Sequence, residues 1–147
     1  MTSLLVINGP NLNLLGTRQP EVYGGDTLSD VESLCRATAA EVGCDVSFYQ
    51  SNHEGELVDA LQAAVGQNDG IVLNAGAYSH TSIAIHDAIA SIDVPTVEVH
   101  VSNIHAREAF RHKSLITPAA LGIVSGFGIT SYALGIRAVM AHLGDRK

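Results

Sequence analysis

Hydrophobic residues along this chain follow two patterns that alternate with each other. Short continuous apolar runs, of which 4–7 is the first, end at a polar residue or a glycine, as is typical of strands buried on both faces of a parallel sheet. Between these runs, apolar residues recur at the spacing of one helix face, as in the series Leu28, Val31 and Cys35. The alternation predicts an α/β fold in which helices cover both faces of a parallel sheet.

The pattern predicts five strands and four main helices. The strands are predicted at 4–7, 45–50, 70–74, 96–99 and 122–126. The helices are predicted to start at Asp26, at Asn52, at Ser82 and near Ile129, and Gly43 is predicted to end the first of them. Five strands suit the doubly wound order 2-1-3-4-5 with right-handed crossovers. We therefore predict one doubly wound α/β domain with a five-stranded parallel sheet over residues 1–147.

A doubly wound sheet of this order binds ligands at the switch point between strands 1 and 3, beyond the carboxyl ends of the strands. This predicts that function lies in the loops after Ile7, after Leu73 and after Val99. The first loop, 9–26, has roughly 18 residues, whereas strand-to-helix connections usually have about 2–6. Such an excess of chain favours a lid or binding loop, with an ordered surface loop as the alternative.

The other two loops carry polar side chains suited to binding and proton transfer. Asn74 offers both a donor and an acceptor, although an asparagine at a strand end also commonly ties a turn together. His80 stands just before a predicted helix. Glu98 and His100 are two residues apart on one strand, so both project from the same face, where a carboxylate can orient an imidazole. An exposed polar pair at the strand end is the alternative.

Charge adds a second indication. The chain carries 8 Lys and Arg against 15 Asp and Glu, a net charge of −7, which argues against a nucleic-acid partner and against attraction to a membrane surface. The few cations are nevertheless clustered, with Arg107, Arg111 and Lys113 in one short segment. Arg107 and Arg111 are neighbours if this segment is helical. They then either clamp a small anion or form a solvated basic turn.

Several other classes of protein are disfavoured. No apolar run reaches the roughly 18 residues of a membrane helix, and the amino terminus lacks the basic region of a signal peptide. Cys35 and Cys44 form neither a CxxC motif nor a disulfide framework, so we interpret them as small buried residues of a reduced, cytoplasmic protein. The histidine spacings match no zinc motif, and no glycine-rich phosphate loop occurs, so neither a metal nor a cofactor is predicted.

Four stretches resemble the motifs of the type II 3-dehydroquinate dehydratases, also called 3-dehydroquinases. They are I-N-G-P-N-L-x-x-L-G-x-R-x-P-x-x-Y-G over 7–24, Q-S-N-H-E-G over 50–55, N-A-G-A-Y-S-H-T-S over 74–82 and E-V-H-V-S-N-I-H-A-R-E over 98–108. The similarity is in register over nearly the whole chain. It implies a flavodoxin-like fold and a cofactor-free dehydration of 3-dehydroquinate to 3-dehydroshikimate, in the shikimate pathway or in quinate catabolism. It also implies a dodecamer assembled from trimers.

The resemblance also implies a role for each matching residue. Tyr23 resembles the base that removes the proton at C2, and Arg18 resembles the lid arginine that supports the tyrosinate. His100 resembles the acid that protonates the departing C1 hydroxyl, with Glu98 as its partner. Asn11 resembles the residue that stabilises the enolate through a water molecule. A phenol is almost fully protonated at neutral pH, so a tyrosine base needs a nearby cation.

The remaining implied residues contact the substrate. They are Asn74, His80, Asp87, Arg107, Arg111 and the backbone of Val101 and Ser102. The residue matching Asp87 reaches the site of a neighbouring subunit in relatives. The chain departs from the family at Gln19, where relatives often have glutamate beside the lid arginine. A flavodoxin-like module that binds a small carboxylate without chemistry is the alternative function, and it has no need for the pair Tyr23 and His100.

Overall fold

The computed structural model describes residues 1–17 and 19–145, and it contains the predicted five-stranded parallel sheet. Arg18 lies outside the described residues. The strands are β1 (Ser3–Asn8), β2 (Asp45–Gln50), β3 (Gly70–Asn74), β4 (Thr96–His100) and β5 (Gly122–Ser125). The helices are α1 (Pro20–Tyr23), α2 (Leu28–Val42), α3 (Glu54–Ala63), α4 (Ile83–Ser91) and α5 (Thr130–Asp145). The strand order is β2-β1-β3-β4-β5, which confirms the predicted topology.

The register of the central strands brings their polar ends together. Asn8 at the end of β1 is paired with Gln50 of β2 on one side and with Asn74 of β3 on the other. Because parallel strands present their carboxyl ends at one edge, the loops that follow β1, β3 and β4 meet there. The predicted switch point between β1 and β3 is therefore where these loops converge.

Two apolar clusters fill the space on the two faces of the sheet. On one face, α2 and α5 pack against side chains that include Val6, Val72 and Val99. On the other face, α3 and α4 pack against side chains that include Ile7 and Leu73. These strand residues are fully or almost fully buried, which explains why the strands lack the alternating pattern of a half-exposed sheet.

The two cysteines belong to this interior. Cys35 and Cys44 are both buried and unbridged, which confirms their interpretation as small apolar residues. Burial, with a smaller contribution from Glu32, raises the pKa of the Cys35 thiol to about 12, so this sulfur remains protonated. Among the described helices, none combines the length and the apolar character needed to cross a membrane.

Two predicted helix starts are wrong by one or two residues. The cap of α2 is Thr27 rather than Asp26: the Thr27 hydroxyl accepts from the backbone N–H of Asp30, and the Asp30 carboxylate accepts from the backbone N–H of Thr27. Helix α3 starts after His53 rather than at Asn52, whose side-chain oxygen accepts the backbone N–H of Asn11 instead. Ser82 caps α4 and Gly43 ends α2 in the left-handed conformation, as predicted.

The two long connections are more ordered than the sequence indicates. The loop 9–26 contains a 3₁₀ turn at Leu12–Leu14 and the short helix α1, which starts at Pro20. The segment after β4 contains 3₁₀ turns at Ile104–Ala106, Ala109–Arg111 and Thr117–Ala119. Both segments surround the carboxyl ends of the central strands.

Gly9 allows the loops after β1 and β3 to touch, and its replacement tests this contact. Its N–H donates to the carbonyl of Asn74 at 2.8 Å, and a Cβ at this position would lie 2.6 Å from the backbone oxygen of Ala75. We expect Gly9→Ala to lower the free energy of unfolding by about 1–3 kcal/mol in urea denaturation, because backbone must shift.

Gly55→Ala is the matched control for this substitution. A Cβ at Gly55 meets no atom within 4 Å, and the residue lies in the first turn of α3. Alanine there should leave the free energy of unfolding unchanged or raise it by up to about 1 kcal/mol. Equal effects of the two substitutions would contradict the close approach at Gly9.

Candidate functional site

A cavity lies at the carboxyl ends of β1, β3 and β4, at the predicted switch point. Most of the side chains predicted from the sequence line it, namely Asn11, Tyr23, Asn74, His80, His100, Val101, Ser102, Arg107 and Arg111. Glu98 lies beneath them and reaches the cavity through His100. Asp87 is exposed on α4 and is not among the lining residues. The three loops chosen from topology therefore do converge on one site.

Glu98 and His100 form a buried pair at the end of β4. Their exposed fractions are 0% and 5%, so the alternative of an exposed polar pair is wrong. The Nε2 atom of His100 lies 2.5 Å from Oε2 of Glu98. Since a carboxylate can only accept, Nε2 carries the proton in this contact and Nδ1 remains available to the cavity. The strand period predicted this common orientation correctly.

The Glu98 carboxylate remains ionised although it is fully buried. Ser114 donates to Oε2 at 2.8 Å and Thr117 donates to Oε1, in addition to the contact with His100. Burial acts to raise the pKa of Glu98, but these hydrogen bonds and the charge of the imidazole together lower the pKa below its usual value. The carboxylate can therefore stabilise a positive imidazole beside it.

His80 lies next to His100. The two rings stack with centroids 6.1 Å apart and planes inclined by 23°. The Nδ1–H of His80 donates to the carbonyl of Lys113 at 2.9 Å, which fixes the ring and its tautomer. Burial lowers the pKa of His80, with His100 and Arg111 as further contributors, so its ring is neutral near pH 7.

Arg107 and Arg111 both reach the cavity, but not as neighbours on a helix. Arg107 follows a 3₁₀ turn in extended conformation, and Arg111 ends the next turn. The two are linked by Glu108, whose Oε1 lies 3.6 Å from Nε of Arg107 and 3.3 Å from Nε of Arg111. The guanidinium of Arg107 also stands 5.0 Å from the ring centroid of Tyr23 and donates to the hydroxyl of Ser102 at 3.3 Å.

Asn11 is held in an uncommon backbone conformation by residues that sequence reasoning missed. Its φ of 68° lies in the left-handed region, which asparagine tolerates better than most residues. Its N–H donates to Oδ1 of Asn52 at 2.9 Å, and Gln50 donates to the same oxygen at 3.2 Å. The resemblance included Gln50 and Asn52 only as part of a motif, and their contacts with the loop after β1 explain why that motif accompanies Asn11.

The side chains of Asn74 and Asn8 are joined through Tyr132 of α5, a second residue whose role was not predicted from the sequence. The Tyr132 hydroxyl donates to Oδ1 of Asn8 at 2.6 Å and accepts from Nδ2 of Asn74 at 2.9 Å, entirely out of contact with solvent. Oδ1 of Asn74 also accepts the N–H of Gly76 at 3.1 Å, so this residue does tie its turn while it lines the cavity. No signal in the sequence marks the Tyr132 hydroxyl, because its partners lie on distant strands.

The backbone after β4 is held by the loop that follows β5. Gly126 donates to the carbonyl of His100 at 3.2 Å, and Gly128 donates to the carbonyl of Val101 at 3.0 Å. These bonds fix the turn at Val101 and Ser102 against the cavity. A turn of this kind, with the guanidinium groups of Arg107 and Arg111 nearby, is suited to bind a carboxylate.

Comparison with known proteins shows which proteins this chain resembles over most of its length. The family model described as dehydroquinase class II matches residues 2–140. A 3-dehydroquinate dehydratase of Ruegeria pomeroyi is 64% identical over 143 residues, covering 97% of this chain and 96% of its own length. A second, of Azorhizobium caulinodans, is 62% identical over 134 residues and covers 91% and 90%. The crystal structure of a type II dehydroquinase from Butyrivibrio crossotus has a TM-score of 0.91 at 41% identity, covering 94% and 97%.

Removal of the Tyr132 hydroxyl tests the link between α5 and the strand ends. Burial raises the pKa of Tyr132, so its hydroxyl stays protonated and donates to Asn8. Tyr132→Phe leaves buried amide groups of Asn8 and Asn74 without this partner, and we expect a loss of about 1–3 kcal/mol in the free energy of unfolding.

Tyr78→Phe is the control, because the Tyr78 hydroxyl donates to the carbonyl of Asn52 where water can replace it. Its effect on urea denaturation should stay within roughly 1 kcal/mol. A Tyr132→Phe protein as stable as the wild type would contradict the described network.

Proposed function

The chain belongs to the class II dehydroquinase family and is an enzyme of the 3-dehydroquinate dehydratase type, and we propose that Tyr23 and His100 act as its base and its acid. The proposed substrate is 3-dehydroquinate and the product is 3-dehydroshikimate. The reaction removes the hydrogen at C2 and the hydroxyl at C1, so it releases one molecule of water. The observation that supports this assignment most is the convergence of Tyr23 and the Glu98–His100 pair on one cavity.

The first proposed step is removal of the C2 proton by the Tyr23 phenolate. The C2–H electron pair moves toward the adjacent ketone, so negative charge develops on oxygen as an enolate. Tyr23 is half-buried, and the guanidinium of Arg107 stands 5.0 Å from the centroid of its ring. The family motif adds Arg18 as a second cation for the tyrosinate. Asn11, with an ordered water, is proposed to bind the enolate oxygen.

The second proposed step is loss of the C1 hydroxyl with a proton from His100. The enolate electrons form the C1–C2 double bond as the C–O bond breaks, and the departing hydroxyl takes the proton and leaves as water. Hydroxide is a poor leaving group, so the step needs an acid. Because Nε2 of His100 is bonded to Glu98, Nδ1 is proposed to carry the transferred proton, and the adjacent Glu98 carboxylate is proposed to stabilise the charged imidazole.

The remaining residues are proposed to bind the substrate. Its carboxylate fits the turn at Val101 and Ser102 together with Arg111, while the ring hydroxyls fit Asn74 and His80. Asp87 is exposed on α4, outside the cavity of its own chain, and is proposed to act at the site of a neighbouring subunit. This requires a homo-oligomer, which we propose to be a dodecamer built as a tetramer of trimers.

The wider setting is also a proposal. Residues 1–147 are proposed to act as a single catalytic domain in the cytoplasm, without a cofactor, and without nucleic acid or membrane partners. The product is an intermediate of aromatic amino acid biosynthesis by the shikimate pathway, and the same reaction serves quinate catabolism. Binding of a small carboxylate without chemistry is the second candidate function, and the arginines of the cavity alone would suffice for it.

A direct assay separates these two functions. We expect purified protein to convert 3-dehydroquinate to a product with enone absorbance in the presence of a metal chelator, because every proposed group belongs to the chain. Absorbance at a fixed ultraviolet wavelength reports the reaction. Saturable binding in calorimetry with no rise in absorbance, from folded protein, would support the carboxylate-binding module instead.

Tyr23→Phe tests the base. The change removes one hydroxyl and keeps the ring, so binding of the substrate should persist in calorimetry while kcat falls at least about 100-fold. Tyr49→Phe is the control, since its hydroxyl contacts Glu56 on the exposed side of β2, away from the cavity. A Tyr23→Phe protein that keeps most of its kcat would exclude this residue as the base.

A further inference from the structure

The hydroxyl groups of Ser114 and Thr117 donate hydrogen bonds to the Glu98 carboxylate, and neither has a role in the proposed mechanism. Ser114 donates to Oε2 at 2.8 Å, and this is the same oxygen that lies 2.5 Å from Nε2 of His100. Thr117 donates to Oε1, the other oxygen of the carboxylate. The donors lie 16 and 19 residues beyond Glu98 in the sequence, so the chain must return to this point to supply them.

The return is made by a short segment, 113–117, which we call the strap. Its Leu115 N–H donates to the carbonyl of Ser79 at 2.7 Å, and its Leu115 carbonyl accepts from Nδ1 of His86 at 2.7 Å. Ile116 is fully buried in the core next to α3 and α4. The strap is therefore fixed to the site loop, to α4 and to the core at the same time.

The two hydroxyls of the strap are also fixed relative to each other. The backbone N–H of Thr117 donates to Oγ of Ser114 at 3.3 Å, so this oxygen accepts from the strap while it donates to Glu98. The carbonyl of Lys113 in turn accepts from His80. The strap thus orients Glu98, which is the partner of the proposed acid His100, and also His80, whose ring stacks on His100.

We propose that Ser114 and Thr117 are positioning residues that determine how tightly the Glu98–His100 pair holds its transferable proton. This inference rests on the proposed function of His100 as the acid. A hydroxyl that donates to a carboxylate withdraws negative charge from it, so the carboxylate attracts the proton of a neighbouring imidazole less strongly. Without these donors the pair would hold its proton more tightly, and His100 would be a weaker acid toward the leaving hydroxyl.

Other charged or titratable groups face this pair, and the test leaves them all unchanged. They are His80, which stacks on His100, and Arg107, Arg111 and Tyr23, which line the cavity together with His100. Thr117 and Ser114 do not line the cavity, and their hydroxyls donate to the carboxylate of Glu98.

Thr117→Val removes one donor and keeps the shape of the side chain. We expect kcat to fall about tenfold and the alkaline limb of the kcat profile to move to higher pH by roughly one unit, because a pair that loses a donor keeps its proton longer. The acidic limb and KM should change little, since neither the base nor the substrate contacts are altered. Thr117→Ser restores a hydroxyl and should restore both kcat and the alkaline limb.

Thr96→Val is the matched control. Thr96 is buried on the same strand as Glu98, and its hydroxyl donates to the carbonyl of Val94, away from the carboxylate. This variant should keep the wild-type profile. Ser114→Ala supplies a second variant that should move the alkaline limb in the same direction as Thr117→Val, even if one of the two proteins folds poorly.

The outcomes separate this inference from the proposed function. The positioning role is overturned if a folded Thr117→Val protein keeps the wild-type alkaline limb. A lower kcat with an unmoved limb has the same consequence, because general destabilisation would explain it. His100→Asn tests the underlying assignment: if it keeps the wild-type kcat and its alkaline limb, His100 is not the acid. If His100→Asn loses the wild-type kcat and the alkaline limb, while the Ser114 and Thr117 variants keep both, only the inference about Ser114 and Thr117 fails.

Discussion

The buried carboxylate of Glu98 is the constraint on which the rest of the site depends. An ionised carboxylate in an apolar interior is strongly destabilising unless donors surround it. Here the donors are the imidazole of His100 and the hydroxyls of Ser114 and Thr117. To supply the hydroxyls, the chain after β4 folds back over its own strand, and this return also brings Arg107 and Arg111 to the cavity. Much of the arrangement of the site therefore follows from the need to supply hydrogen-bond donors to the buried carboxylate of Glu98.

The site divides into a rigid half and a half carried by the loop after β1. His100 and Glu98 lie on β4, which is paired with β3 on one side and β5 on the other, and Asn74 is tied to Asn8 through the buried hydroxyl of Tyr132. Tyr23 lies on a helix of 4 residues within a long loop. The proposed base therefore lies on a separate segment from the proposed acid and carboxylate site, and a base on such a segment can approach the substrate after binding, as in a lid.

The sequence predicted the elements that depend on local periodicity and missed those that depend on distant partners. The strand order and the shared face of Glu98 and His100 follow from apolar runs and a two-residue period, so both predictions were confirmed. Asp26 was chosen as a helix cap because its side chain is suitable, but Thr27 has the reciprocal partner Asp30. Hydroxyls such as that of Tyr132 carry no pattern, since their partners lie far away in the chain. The role assignments within the cavity came from the family resemblance.

We propose that Tyr23 removes the C2 proton in a step distinct from loss of the hydroxyl. Nuclear magnetic resonance of 3-dehydroquinate in deuterium oxide tests this. The signal of the hydrogen at C2 is followed over time with the His100→Asn protein and, separately, with the Tyr23→Phe protein. We expect His100→Asn to replace the C2 hydrogen with deuterium while forming little product, and Tyr23→Phe to do neither. Enzyme-dependent exchange at C2 by Tyr23→Phe at the rate of His100→Asn would contradict it.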